Sequence, residues 1–334
     1  MNLNVLVIGD GAMGTALAIL LAGKGASVTI WGAFPEYVRE VDSRRENRKF
    51  LPGRRIPDAV SYISNEQNPE RFWDHYDLAV IAVPTQFIRG VFEKRAEQLN
   101  AALIVSVAKG FERETLLRPS EIIKEAIGRD GVVVLSGPSH AEEVAAALPA
   151  SVVAASDCID RSRRIREIFN TPMFRVYSGE DVIGVETAAA LKNVIAVAAG
   201  ICDGLGFGDN SKSALITRGL AEMTRLGRAL GAERKTFSGL SGIGDLITTC
   251  ISPLGRNLAF GRRIGRGERC TQILEGMEQA VEGVWTAQSA LDIAKSHGIE
   301  MPITQQVVNI LFEDVPPVEA VRRLMERDLK EEFR

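Results

Sequence analysis

"VLVIGDGAMGTALA", Val5 to Ala18, decides how the first half of this 334-residue chain folds. An aliphatic run enters Gly9, Gly11 and Gly14 in G-x-G-x-x-G spacing, and an alanine-rich helical pattern leaves them. Glycines alone mark only a turn. Placed after a strand and at the opening of a helix, they mark a dinucleotide cradle. Gly9 permits the tight turn, Gly11 lets the backbone approach a pyrophosphate, and Gly14 allows close helix–strand packing. The amides of Ala12 and Met13 then open a helix whose positive end faces the phosphates. An acid about twenty residues past the glycines would hold the 2′-hydroxyl of NAD. The second strand ends "IWGAFPE", with Ala33 at that place, Glu36 only later, and no arginine suited to the extra phosphate of NADP. At this stage either dinucleotide fits.

Outward from that unit, short β-branched runs alternate with helical patterns. Residues 4–9, 27–31, 77–84, 102–110, 131–138 and 151–156 read as buried strands, and "FRVYSG" (174–179) as one last edge strand. That rhythm predicts a parallel sheet covered by helices on both faces, the doubly wound Rossmann type. After about residue 180 the strand runs stop. Helix-like segments follow at 181–203, 209–231, 241–250, 271–277, 284–297, 302–313 and 317–331. The expected organisation is α/β followed by all-α: residues 1–178 as the dinucleotide-binding domain and 179–334 as a helical, substrate-binding domain.

Bulk composition narrows the function classes. A formal net charge of −3 lacks the basic footprint of a nucleic-acid binder. The cluster "RRENRK" (44–49) reads as a solvated loop face. Cys158, Cys202, Cys250 and Cys270 are far apart, and with three histidines they offer no metal-ligand spacing. No metal site is expected, and the thiols suit a reducing compartment. No uncharged apolar run reaches about eighteen residues, so no membrane span is expected. A strand begins within three residues of Met1, so no signal peptide is expected and the location reads as cytoplasmic.

The polar motifs stand out against apolar surroundings. From Ala188 to Cys202 the only polar residues are Lys192 and Asn193. A helix apolar on every side belongs in a core, where lysine is rarely found. An isolated lysine there would snorkel to solvent. Lys109 ends a predicted strand, the edge at which open α/β sheets bind ligands. "SGPSHAEE" carries Ser139, which alone reads as a helix cap, and His140, read as a surface residue beside that cap. "SGIGDLITTC" carries Asp245 and Thr249, "LGRNLAFG" carries Arg256 and Asn257, and "AVEGVWTAQ" carries Glu282.

Taken in order along the chain, these motifs resemble the NAD(P)-dependent glycerol-3-phosphate dehydrogenases of bacterial type. "FLPGRRIPD", "AVPTQ", "AKGFE", "FRVY", "MPIT" and the long block from Gly184 to Met223 extend the resemblance over essentially the whole length. It implies a helical half like that of 6-phosphogluconate dehydrogenase, a role in glycerophospholipid synthesis, and a homodimer. By the same resemblance Lys192 is the proton acceptor, with Lys109, Asn193, Asp245 and Thr249 around it. Gly137, Ser139, Gly255, Arg256 and Asn257 would contact glycerol 3-phosphate, together with Lys109, Lys192 and Asp245. Besides the glycine loop, the cofactor positions would be Ala12, Met13, Ala33, Phe87, Lys109, Ala141, Arg256, Ala280 and Glu282. The chain departs from the family pattern at Ala12-Met13, where a Ser-Trp or Ser-Tyr pair is usual. It departs again at Ala33, often basic, and at Gly255, often serine.

The implied chemistry suits these residue types. Oxidising a secondary alcohol needs a base that titrates near working pH. Free lysine, near 10.4, is too basic, and both burial and a nearby cation such as Lys109 lower it. Asp245 beside it would push the other way, or orient the ammonium, or bind substrate; the sequence leaves all three open. Arg256 offers forked donors for a phosphate. Two other readings compete: a 3-hydroxyacid or 6-phosphogluconate-type dehydrogenase, and a dinucleotide-sensing module without catalysis.

Overall fold

A computed structural model describes residues 3–64, 75–93, 99–277, 280–329 and 331–332. The strands are β1 (Asn4–Ile8), β2 (Ser27–Gly32), β3 (Glu46–Asn47), β4 (Leu51–Arg55), β5 (Val60–Ser64), β6 (Tyr76–Ile81), β7 (Ala101–Ser106), β8 (Val133–Ser136), β9 (Ala150–Ala155) and β10 (Phe174–Gly179). Eight of them form one sheet in the order β10-β9-β8-β7-β6-β1-β2-β5. Alternate side chains of each strand leave opposite faces. Val5 and Val7 therefore join one apolar layer, beneath Ala12–Gly23, while Leu6 and Ile8 join the other, beneath Pro119–Ile127. Helices on both faces bear out the doubly wound reading.

The sheet differs from that reading in three ways. It is mixed rather than parallel throughout: β8 and β9 pair antiparallel, Leu135 opposite Ala154. Twelve residues separate the positive-φ turn at Gly137 from the start of β9, and the helix among them, Ala141–Ala145, is barely more than one turn, too short to carry the chain back to the starting edge. An additional edge strand, β5, pairs parallel with β2, and β3–β4 form a small separate hairpin. Both are short and flanked by polar residues, so their periodicity is weak. The hairpin also changes the reading of residues 44–49. Arg44, Arg48 and Lys49 are solvated, but Asn47 is fully buried.

The helical half is organised around Val182–Gly204. Its length and apolarity would suit a membrane span, yet 89% of its most apolar window is packed inside the protein. It is a core helix. Asp181 caps it by accepting from the Gly184 amide at 2.8 Å, and its other oxygen accepts from the Glu233 amide at 2.9 Å. Glu186, buried in the first turns, accepts from Arg118 at 2.8 Å and from the Ser120 amide at 2.7 Å. Those bonds tie the helix to the sheet half.

Two helices escaped the sequence reading. Arg234–Phe237 is a single turn, and Arg256–Gly265 is a full ten-residue helix. The second crosses the central helix closely. A Cβ on Gly261 would run into the Val197 carbonyl, and one on Gly200 into the Leu258 carbonyl and within 2.9 Å of the Gly261 Cα. Gly204 and Gly265 repeat the arrangement one turn on. Small residues four apart on both helices let the backbones touch. Three other ends moved: the helix expected from 241 begins at Asp245 after a wider turn at Leu240–Gly244, 271–277 shortens to Cys270–Glu275, and 317–331 stops at Met325.

Candidate active site

β1, β6, β7 and β8 run in the same direction, so their carboxyl ends emerge on one edge, facing the central helix. The glycine loop leaves β1 there. Gly9 has φ +119°, and a Cβ on it would lie 2.8 Å from the Ala82 carbonyl carbon. A Cβ on Gly14 would run into the Gly9 carbonyl, whereas one on Gly11 meets nothing within 4 Å. The first and third glycines are thus packed against the protein, and the second leaves open space before the helix start at Ala12. That arrangement fits a pyrophosphate approaching the loop backbone. Asn47 clamps the loop from behind, donating to the Asp10 carbonyl and to Thr15 Oγ1, each at 2.8 Å.

The adjoining turns are locked together. Gln86 donates to the Phe111 carbonyl at 2.7 Å and accepts from the Arg113 amide at 3.1 Å. Gly110, at φ +146°, leaves room for Thr85 and Thr286, 3.2 and 3.3 Å from where its Cβ would be. Lys109, one residue earlier, is thereby aimed at the helical half. Met13, Lys109 and Ser139 line one recess with Val107 and Leu135.

At the centre two lysines grip one carboxylate. Lys192 Nζ donates to Asp245 Oδ1 at 2.7 Å and to Thr249 Oγ1 at 2.7 Å. Lys109 Nζ donates to Asp245 Oδ2, also at 2.7 Å. Thr249 passes its own hydrogen to the Asp245 carbonyl at 2.6 Å. The Lys192 side chain is 6% exposed and that of Asp245 3%, against 18% for Lys109. Lys192 therefore does not snorkel. Burial pulls it down to about 8; Lys109 adds to the pull and Asp245 opposes it. Burial acts to raise Asp245, but the two ammonium groups overcome this and hold it below the usual carboxylate range. Asp245 thus holds both ammonium groups, one on each oxygen, and desolvation still outweighs it at Lys192.

The remaining motifs fall around this cluster. Arg256 and Asn257 begin the helix after Gly255, and Asn257 Oδ1 accepts from the Gly283 amide at 3.0 Å. Glu282 starts the adjacent helix. Burial pushes its carboxyl up, while Arg256, Lys109, Lys192 and the Thr85 amide act against that. Gly137 carries φ +139°, and a Cβ there would lie 2.9 Å from the Val152 Cα. The loop it starts abuts the turn before Asp245, with Pro138 Cδ 3.8 Å from a Cβ on Gly244.

Several expectations change. Ser139 does not cap the next helix: that helix begins at Ala141 with His140 at its cap, and the Ser139 hydroxyl donates to the Gly137 carbonyl at 3.0 Å. His140 is half-buried rather than on the open surface. Its Nε2 is buried without a hydrogen-bond partner among the described residues, and burial, followed by the charge on Lys192, lowers its pKa. The amide of Asn193, 4% exposed, makes no hydrogen bond to the lysines or Asp245 among the described residues. Ala141 is buried, whereas Ala33, Phe87 and Ala280 are exposed. Asn47 and Asp10 were not singled out by sequence. An asparagine inside a basic cluster and an acid between two glycines were the available signals.

With the geometry in place, comparison with known proteins decides the family. Residues 4–162 match the N-terminal model of NAD-dependent glycerol-3-phosphate dehydrogenase, and residues 181–322 match its C-terminal model. The chain belongs to this family. A glycerol-3-phosphate dehydrogenase using NAD(P)+ from Chlorobium phaeobacteroides is 46% identical over 99% of both chains. One from Geobacillus kaustophilus is 48% identical over 99% of this chain and 96% of its own. The crystal structure of glycerol-3-phosphate dehydrogenase from Coxiella burnetii superposes with a TM-score of 0.92 at 36% identity, covering 98% and 99% of the two chains. As a member of this family the chain is an NAD(P)-dependent oxidoreductase. Among the described residues no group of three or more histidine, cysteine or acidic side chains is arranged to hold a metal ion.

Proposed function

We propose that this glycerol-3-phosphate dehydrogenase interconverts sn-glycerol 3-phosphate and dihydroxyacetone phosphate with Lys192 as its acid–base group, serving glycerophospholipid synthesis. The observation that carries the assignment is the buried Lys192 amine, brought to about 8 and held at 2.7 Å by both Asp245 and Thr249. In the oxidative direction the neutral amine takes the proton from the C2 hydroxyl as the C2 hydride leaves. In the reductive direction the ammonium returns that proton to the ketone oxygen. When bound, the nicotinamide supplies the acceptor or donor for the hydride. The glycine loop and the helix opening at Ala12 fit its pyrophosphate, and Phe87, Ala280 and Glu282 stand at the cofactor positions that the resemblance implies.

Asp245 acts through its two lysines, fixing where each ammonium points. Thr249 fixes the second direction of Lys192. Arg256, exposed at its helix start, and the amides after Gly255 are suited to the substrate phosphate; Gly255 replaces the usual serine and leaves only its backbone for that contact. Anchoring a remote phosphate holds the reacting carbon in register, worth up to about 7–11 kcal/mol when orientation is ideal. Ser139, in the same recess as Lys109, offers its hydroxyl oxygen, and Gly137 its turn. Asn193 is close enough in sequence to hold a neighbour or the substrate.

The last strand ends at Gly179 and the central helix starts at Val182, which supports a division near residue 178. The homodimer rests on the resemblance alone, and sedimentation of the purified chain counts the protomers. The assignment of Lys192 is tested by Lys192→Ala. Turnover should fall roughly 10²–10⁴-fold, the usual range for a lost acid–base group, while NADH binding measured by fluorescence stays intact. Near-normal turnover would eliminate Lys192 as the base. The pH profile is an independent check. Oxidation requires the free amine and rises through about pH 8, whereas reduction requires the ammonium and falls over the same interval.

A further inference from the structure

The end of β2 lacks the acid that dinucleotide folds ordinarily place there. The strand closes on Gly32, and Ala33, Phe34 and Pro35 follow without a charge. Glu36 comes later, exposed on the first turn of its helix. A carboxylate nevertheless occupies the space. Asp10, between the first two glycines of the loop, turns its side chain across to β2. A Cβ on Gly32 would lie 2.4 Å from Val38 Cγ2, 2.5 Å from Asp10 Oδ2 and 2.9 Å from Asp10 Cγ. The acid that β2 fails to supply is delivered from β1, into a gap that exists because residue 32 has no side chain.

The carboxylate is held out by a fixed backbone. Asn47 bonds the Asp10 carbonyl at 2.8 Å, and is itself pinned by Tyr37 Oη at 2.5 Å and the Phe50 amide at 3.1 Å. Asp10 Oδ2 is buried, with no hydrogen-bond partner among the described residues. A buried carboxylate oxygen without a donor is costly, and burial raises its pKa accordingly. A hydroxyl donor at the adenosine end would satisfy it; a phosphate dianion would be repelled.

We propose that Asp10 is the cofactor-selecting residue: its carboxylate accepts a hydrogen bond from the 2′-hydroxyl of the adenosine ribose and excludes a 2′-phosphate, making the enzyme selective for NAD(H). This rests on the dinucleotide reading above and names which dinucleotide the cleft takes. Gly32 is part of the device, because any side chain there displaces the carboxylate.

Binding to the full-length protein tests this without reference to turnover. NADH and NADPH are titrated by fluorescence, and ADP-ribose and 2′-phospho-ADP-ribose by calorimetry, since the last two lack the nicotinamide. Wild type should hold the unphosphorylated member of each pair at least about tenfold more tightly. Asp10→Asn, which keeps the shape and removes the charge, should bring each ratio to within about threefold, mainly by improving the phosphorylated ligand. Asp10→Ser should do the same. A melting curve for each variant separates selectivity from folding. Equal affinities in wild type, or an unchanged ratio in a folded Asp10→Asn protein, overturns the proposal. Failure of all four ligands to bind would overturn the dinucleotide reading itself, and this inference with it.

Discussion

Glycine does opposite work in the two halves of this molecule. In the sheet half Gly11 faces open space, and the turn around it is shaped to receive something from outside. In the helical half Gly200, Gly204, Gly261 and Gly265 face one another, and the space they free is filled by backbone. The first arrangement builds a binding surface, the second a joint. The joint also serves the chemistry. It presses the helix that carries Arg256 and Asn257 against the helix that carries Lys192.

Substitutions can break this contrast. The largest effect should come from Gly261→Ala, whose new Cβ meets the Val197 carbonyl with no flexible side chain to yield. Overpacking of that kind costs about 3 kcal/mol at its upper range, so thermal melting should drop by several degrees and activity should fall with the folded fraction. A wild-type melting curve would show that the crossing relaxes. Gly11→Ala is the counterpart. Its Cβ meets nothing in the protein, so the melting curve should be unchanged while the NADH dissociation constant rises about tenfold, ~1.4 kcal/mol.

Where the halves meet, Lys109→Met removes a positive charge from beside Lys192. Because that charge helps hold Lys192 down, its loss should move the pH midpoint of oxidation upward from about 8, alongside a lower rate. A downward shift would contradict the lysine–carboxylate–lysine geometry. The smallest effect belongs to a lysine with no part in the reaction. Lys24 Nζ donates to the carbonyls of Glu167, Ile168 and Asn170 at 2.5–3.0 Å, closing the helix Ile159–Phe169. Lys24→Met should cost about 1 kcal/mol in denaturant unfolding and leave the pH profile alone.

How legible each half was follows from the range of its determinants. β1, the glycine loop and the first helix are contiguous in sequence, and strands buried on both faces announce themselves as unbroken β-branched runs. The reversal of β9 and the edge strand β5 were not legible, since pairing direction is a relation between distant segments. In the helical half the central helix was plain from its composition. The helix Arg256–Gly265 was not, because its glycines and arginines look like a loop until the partner helix is seen filling the gap. The half-burial of His140 is illegible for the same reason: its surroundings come from elsewhere in the chain, Lys192 among them.

By itself the sequence determined the class of fold, the place of the dinucleotide loop, and the presence of one lysine in an apolar helix. Those properties depend on local periodicity and residue type. Only the tertiary structure decided that Asp245, fifty-three residues on in sequence, lies between Lys192 and Lys109, and that Asp10 fills the gap beside Gly32. Charge–charge and packing relations of this sort act through a few ångströms of space, and the chain order carries no record of them.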